Sequence, residues 1–202
     1  MTAGNPGAGG ATEGSAEARS ARRVARLFSQ AGRLRDGTPV RIRPLVAEDR
    51  DLLLAGFAAL SSRSRRSRFL RGVSDAQFEQ MLPVLLETVD QQSHVALVLH
   101  ADDQPIGVGR LRRFPSDSSV ADLAVTVADD WHGRGARVML AREVLARAGT
   151  VREIQTVVSE DNPASLRMLA RLGELQSDCV NGTCDVVVRV SRSRSMTTAD
   201  AA

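Results

Sequence analysis

Apolar positions along the chain change period repeatedly, and each change marks an element. Residues 94–100 (HVALVLH) are nearly all apolar, as in a strand, and 105–113 (PIGVGRLRR) alternate. Further strands are expected at 39–45, 120–128, 152–159, 175–180 and 183–190. Helical spacing occupies 47–60, 74–89, 135–148 and 163–172. Ser74 with Gln77 three residues on forms a capping box that starts the second helix. Strands and helices intermingle, with a hairpin in the middle, so the pattern predicts an α/β fold with a mixed sheet.

The ends differ from this body. Residues 1–20 carry five Gly and no apolar period, which predicts a disordered segment. Residues 21–37 form a basic leader. Its helical potential runs from Ala16 to Leu34, with Val24, Leu27, Phe28 and Ala31 on one face. Residues 191–202 read as a second disordered end, leaving one domain at 38–190.

Asn181-Gly182 is a type I′ hairpin signal. A two-residue loop there pairs Cys179 with Cys184 as a non-hydrogen-bonded pair, Cα atoms about 4.5 Å apart. The thiols are expected to be neighbours and, in a cytoplasmic protein, reduced. Two cysteines alone make no zinc site, and no metal is expected.

Composition narrows the function classes. The chain has 202 residues, 43% hydrophobic, and all 27 basic residues are Arg. The net charge of +3 is too small to imply nucleic acid, and Tyr is absent, which disfavours base stacking. No apolar run approaches the ~18 residues of a membrane span. The expected partners therefore include neither nucleic acid nor membrane.

The segment 120–140 (VADLAVTVADDWHGRGARVML) carries the chemistry. An apolar strand runs into a Gly- and Arg-rich loop and then a helix. Gly133 and Gly135 let main-chain N–H groups approach an anion, and the helix turns its positive end to the same place. A P-loop would need a lysine, and this chain has none. A Rossmann loop would need a third Gly where Val138 stands.

The hexamer His132-Gly133-Arg134-Gly135-Ala136-Arg137 resembles the pyrophosphate loop of the GNAT superfamily of N-acetyltransferases, Gln/Arg-x-x-Gly-x-Gly/Ala. His132 and Arg137 depart from that pattern. Asn162-Pro163-Ala164-Ser165 followed by Leu172-Gly173 resembles the last block of the same superfamily, with Glu174 in place of its Phe. Leu60-Ser61 with Arg68-Phe69 is similar to a stretch in bacterial protein lysine acetyltransferases. The resemblance covers about residues 38–190.

This resemblance implies a single GNAT-fold domain: a mostly antiparallel twisted sheet, helices on both faces, and a splayed central strand pair. It implies acetyl transfer from acetyl-CoA to a primary amine, with a lysine-bearing protein as the preferred acceptor. Cofactor contacts carried over are Ala124, Val125 and Thr126 on the strand, His132, Gly133, Arg134, Gly135, Ala136 and Arg137 in the loop, and Asn162. Thioester attack makes an oxyanion, so a preorganised backbone donor is needed. A lysine amine also needs a base, and Asp122 stands where the relatives carry Glu. Strand alternation puts Asp122, Ala124 and Thr126 on the cleft face, and Leu123, Val125 and Val127 towards the core. The family's acidic Tyr is Leu169 here. A catalytically weak acyl-CoA sensor or interaction module of the same fold is the alternative. The arginines from Arg63 to Arg71 are expected in a solvated loop.

Overall fold

The computed structural model describes residue 25 and residues 27–191. Expectations for 1–20 and 192–202, and for most of the leader helix, lie outside the described residues. Eight strands make one sheet: β1 (Gln30–Arg33), β2 (Pro39–Pro44), β3 (His94–Ala101), β4 (Gln104–Phe114), β5 (Asp117–Val127), β6 (Glu153–Ser159), β7 (Gly173–Val180) and β8 (Thr183–Val190). Their order is β1-β2-β3-β4-β5-β6-β8-β7. Only β5 and β6 pair in parallel; every other neighbouring pair is antiparallel. The expected mixed sheet is present, with helices on both faces.

The helices are α1 (Arg50–Ala58), α2 (Ser62–Phe69), α3 (Asp75–Glu87), α4 (Ala136–Ala148) and α5 (Pro163–Leu169). On one face, α4 lays Leu140, Ala141 and Val144 against Ile42, Leu97 and Leu111. On the other, α1 and α3 cover Ala96 and Val98 of β3. Both faces of β3 are therefore dry: Val95 to Leu99 have no solvent exposure. That explains a continuous apolar run where a half-covered strand would alternate.

Expectations for the leader and the arginine run both need correction. The leader does not stay helical to Leu34: Gln30–Arg33 add an edge strand to β2. The arginine run is not a loop but the helix α2. Its Ser61 side chain caps Ser64 N at 3.2 Å. With no apolar stripe, α2 has Phe69 as its apolar anchor, while Ser61 N and Ser64 Oγ tie it to Asp129. The Phe69 ring meets Phe57 and Phe78 edge-on at 5.7 and 5.9 Å, while those two stack at 4.1 Å. Arg65 lies over the Phe57 ring at 4.3 Å and donates to Asp75.

The Ser74–Gln77 box caps α3 as read from sequence. The 181–182 turn also forms, with positive φ at Asn181 and Gly182. Cys179 and Cys184 do face each other, Cα atoms 4.0 Å apart, but as a disulfide and not as the reduced thiols expected.

A buried polar pair sits beneath α3. His94 Nε2 accepts from Arg110 Nε at 3.1 Å, and Nδ1 lies 3.0 Å from Thr88 Oγ1. Burial, reinforced by the Arg110 charge, pushes the imidazole down to about 4. An unfolded histidine takes its proton near pH 6.5, before the native one does, so stability is lost as pH falls from about 6.5 towards 4. The shift corresponds to about 3 kcal/mol. Urea midpoints between pH 7.5 and 4.5 should fall more steeply for the parent than for His94→Gln. Parallel curves would show that His94 does not carry the acid sensitivity.

Candidate active site

The site begins where β5 leaves β6. The two pair only at Val120↔Glu153 and Ala121↔Ile154. Beyond that β5 stays paired to β4 as far as Val127, and β6 stays paired to β8. From Asp122 onward the β6-facing edge of β5 has no ladder partner, although Thr156 Oγ1 reaches across to Leu123 O at 3.4 Å. A cavity of about 1180 Å³ fills the divergence, and α2 packs against both strands across it.

Asp122, Ala124, Val125, Thr126, His132, Arg137 and Asn162 line this cavity. Leu123 and Val127 turn to the core at 4% and 1% exposure. Val125 is half-buried against the core and also borders the cavity. Gly133, Arg134, Gly135 and Ala136 are not on the cavity wall; they form the rim loop above it.

That loop is built to present amides. Gly133 and Gly135 take φ of 79° and 94°, a region open chiefly to glycine. Gly135 is the N-cap of α4. Among the described residues, no N–H from Gly133 to Val138 has a hydrogen-bond partner. The carbonyls on the other side are occupied. Arg35 Nη2 donates to Gly133 O at 2.5 Å, and Arg35 N to Arg134 O at 3.0 Å. Arg134 stacks on Trp131 at 4.7 Å and faces Asp36 at 3.5 Å, away from the cavity.

Arg35 and Asp36 were not legible as site residues. They sit almost a hundred positions before the loop, and only the tertiary pairing of β1 with β2 delivers them. The signal available was the tight Leu34–Thr38 turn with Gly37 at positive φ.

Arg137 occupies the family's Gly or Ala position and points into the cavity. Its Nη2 lies 2.8 Å from His132 Nε2, and its Nε is buried without an acceptor. Burial lowers the guanidinium pKa, opposed by the Asp129 charge. His132 Nε2 also approaches Val127 O at 2.9 Å, so this ring is turned back on its own turn. Asn162 accepts from Ser165 N at 3.2 Å and caps α5. Leu169, at the family's Tyr position, is buried at 1% exposure, and Glu174 is on the surface.

At the far end, Asp122 faces Arg112 across the β4–β5 ladder. It also lies in the field of two half-buried cations. Burial lowers Arg68, with Asp122 opposing the shift. Burial and then the Arg68 charge lower Arg110 to about 10. Among the described residues, no cluster of His, Cys, Asp or Glu could hold a metal.

A family model described as an acetyltransferase (GNAT) domain matches residues 40–174. An acetyltransferase of Pseudomonas aeruginosa is 33% identical over 149 residues, 69% of this chain and 77% of that protein. The GNAT domain of PAT from S. lividans superposes with a TM-score of 0.67 at 20% identity, covering 81% of this chain and 98% of that one. A cAMP-binding acyltransferase from Mycobacterium smegmatis superposes at 0.57 with 25% identity, covering 87% of this chain and 52% of that one.

Two measurements test the loop. Gly135→Asp removes a residue held at φ 94° and adds a repelling charge, so calorimetry should show no acetyl-CoA binding. Arg137→Ala should weaken binding about tenfold, and less at high salt, if the buried Nε meets phosphate. If the side chain fills the site, Arg137→Gly should tighten binding instead.

Proposed function

Because this chain belongs to the GNAT acetyltransferase family, whose enzymes are acetyl-CoA-dependent N-acetyltransferases, we propose that it moves an acetyl group onto the amine of a protein lysine. The supporting observation is the open edge of β5 running into a loop of unpartnered amides. The edge suits an extended amide-bearing arm, and the loop suits a diphosphate. Acetyl-CoA supplies both, together with a thioester that an amine can attack. The buried, unpartnered Arg137 Nε is a further group that an anion would satisfy.

In this reading, Ala124, Val125 and Thr126 bind the arm through their backbone, and one of their N–H groups stabilises the oxygen charge of the transition state. His132, Gly133, Arg134, Gly135, Ala136 and Arg137 form the phosphate end. Arg134 acts through the shape of its turn, since its side chain is spent on Trp131 and Asp36. Asn162 acts by holding α5 at the cavity wall. Asp122 takes the proton of the incoming ammonium, through a bridging water, because its carboxylate is one methylene shorter than Glu. The thiol leaves as thiolate, whose pKa of about 8.5 makes a protein acid dispensable. That agrees with Leu169 where relatives carry Tyr.

We take the domain as 38–190 together with β1 and Arg35, which pair with β2 and brace the rim loop, and propose the cytoplasm as its location. The Cys179–Cys184 bridge is the observation against that location. No helix among the described residues is long and apolar enough to cross a membrane.

Arg137 in the phosphate slot favours the second reading, a weak enzyme or acyl-CoA sensor. Substitution at Asp122 separates the two. Asp122→Asn should lower kcat by roughly 10²–10⁴ in a thiol-release assay while leaving acetyl-CoA affinity nearly unchanged. Asp122→Glu should keep or raise turnover. Parent-level turnover in Asp122→Asn would move the base elsewhere. Tight acetyl-CoA binding with no transfer to any amine would establish the sensor.

A further inference from the structure

The cavity has two ends of unlike chemistry, and the second one, granted the transfer reading above, bears on the acceptor. Asp122 lies four residues before Thr126, ~13 Å back along β5 from the phosphate end. Three of the arginines that line the cavity bear on this end. Arg112 is its cross-strand partner. Arg68, from the last turn of α2, senses its charge. Arg71 follows just after the helix and also borders the cavity. Among the described residues, none of these three makes an ion pair.

Two neighbouring cations are engaged elsewhere, while Arg63, Arg137 and Arg167 also line the cavity. Arg113 gives its guanidinium to the carbonyls of Gln92, Ser118 and Ala148. Arg110 is bound to His94. The wall also carries Asp129, Asp161 and Asp185. Asp129 is tied to Ser61 and Ser64, and Asp161 and Asp185 come from the β6 and β8 side. Arg68, Arg71 and Arg112 thus share the cavity with Asp122 and, among the described residues, carry no ion pair.

An isolated ammonium would enter this end against a net positive field. We propose that the acceptor is an amine carrying a carboxylate or phosphate close to the reacting nitrogen, so that Asp122 meets the amine while Arg71 and Arg112 meet the anion. In a protein acceptor, this is a lysine flanked by Asp or Glu. In a small acceptor, it is an amino acid with a free carboxylate. Guanidinium groups suit either, because they bind carboxylate or phosphate in a bidentate fork.

Binding decides the matter independently of turnover. Labelled peptides with one lysine flanked by Asp/Glu, by Ser or by Arg are titrated into CoA-saturated protein, and the same three are assayed with acetyl-CoA for thiol release. Nα-acetyl-lysine and its methylamide form the small-molecule arm. The acidic peptide should bind at least about tenfold more tightly than the basic one at low salt, the gap narrowing near about 0.5 M salt. Preference for Nα-acetyl-lysine over its methylamide, without a peptide preference, assigns the anion to a small acceptor. Arg71→Ser with Arg112→Ser should reduce the preference to about threefold or less while CoA affinity holds. Equal or tighter binding of the basic peptide and the methylamide overturns the proposal. So does a preference that survives the double substitution. A charge preference without transfer leaves this inference standing and removes the transfer reading. Transfer without a preference does the reverse.

Discussion

The structure depends on one interruption of pairing. β5 and β6 run side by side for two residues and then part, although each keeps its other neighbour. The closed end is fastened by Arg152 N on Ser119 O and Val190 N on Arg152 O, both at 2.8 Å. The open end lies at the carboxyl termini of the two parallel strands, the place where crevices form in sheets of this kind. Parting leaves main-chain groups of β5 without a ladder partner. Unpaired backbone is costly when buried, so such an edge persists only where solvent or a ligand reaches it. The α4 connection keeps the gap open. Its loop must leave β5, turn through two positive-φ glycines and enter a helix whose Leu140 and Val144 are locked in the core.

The rim loop shows how a flexible sequence becomes a fixed donor array. Gly133 and Gly135 allow the conformation but do not hold it, since glycine has many others open to it. Arg35 holds it from behind by binding the Gly133 carbonyl, and its own N–H binds the next carbonyl. Occupied carbonyls on one side fix the amides on the other. The edge strand β1 exists in this role only because Gln30–Arg33 pair with β2 and so place the turn beneath the loop. Arg137 sits on the opposite side of the loop, and its Nε is the buried donor that the loop leaves over.

Much of this was readable in the chain, where the determinants are local. The period of β5, the Ser74–Gln77 cap and the Asn181-Gly182 turn are decided within a few residues, and all three formed as read. The face of β5 that carries Asp122, Ala124 and Thr126 followed from alternation alone. What escaped was non-local. Ser62–Phe69 has one apolar residue and no helical stripe, and its fold is set by Phe69 finding Phe57 and Phe78 on two other helices. Gln30–Arg33 is neither apolar nor β-branched, and forms a strand because β2 offers it an edge. Arg35, at the end of that strand, was invisible for the same reason. The thiols of Cys179 and Cys184 were placed correctly as neighbours. Their oxidation state depends on redox surroundings, which turn geometry does not encode.

The two ends of the cavity explain each other. At the end proposed for the phosphates, the donors are the loop amides and the α4 terminus, with Arg137 beside them. The amides and the terminus are fixed dipoles that need no counter-charge. At the end proposed for the acceptor the donors are full guanidinium charges, which do. Asp122 stands across the ladder from Arg112 and in the field of Arg68, and in the proposed transfer it also receives the proton of the entering ammonium. A lone carboxylate shared in this way is drawn towards its arginines and away from the amine. An acceptor that brings its own anion relieves that competition, because the arginines then turn to the acceptor and leave Asp122 to the nitrogen. The departure from Glu to Asp and the arginine excess are thereby linked. On the proposed reading, a shorter carboxylate stays nearer Arg68 and Arg112, and an acceptor anion that engages the arginines leaves it to the nitrogen.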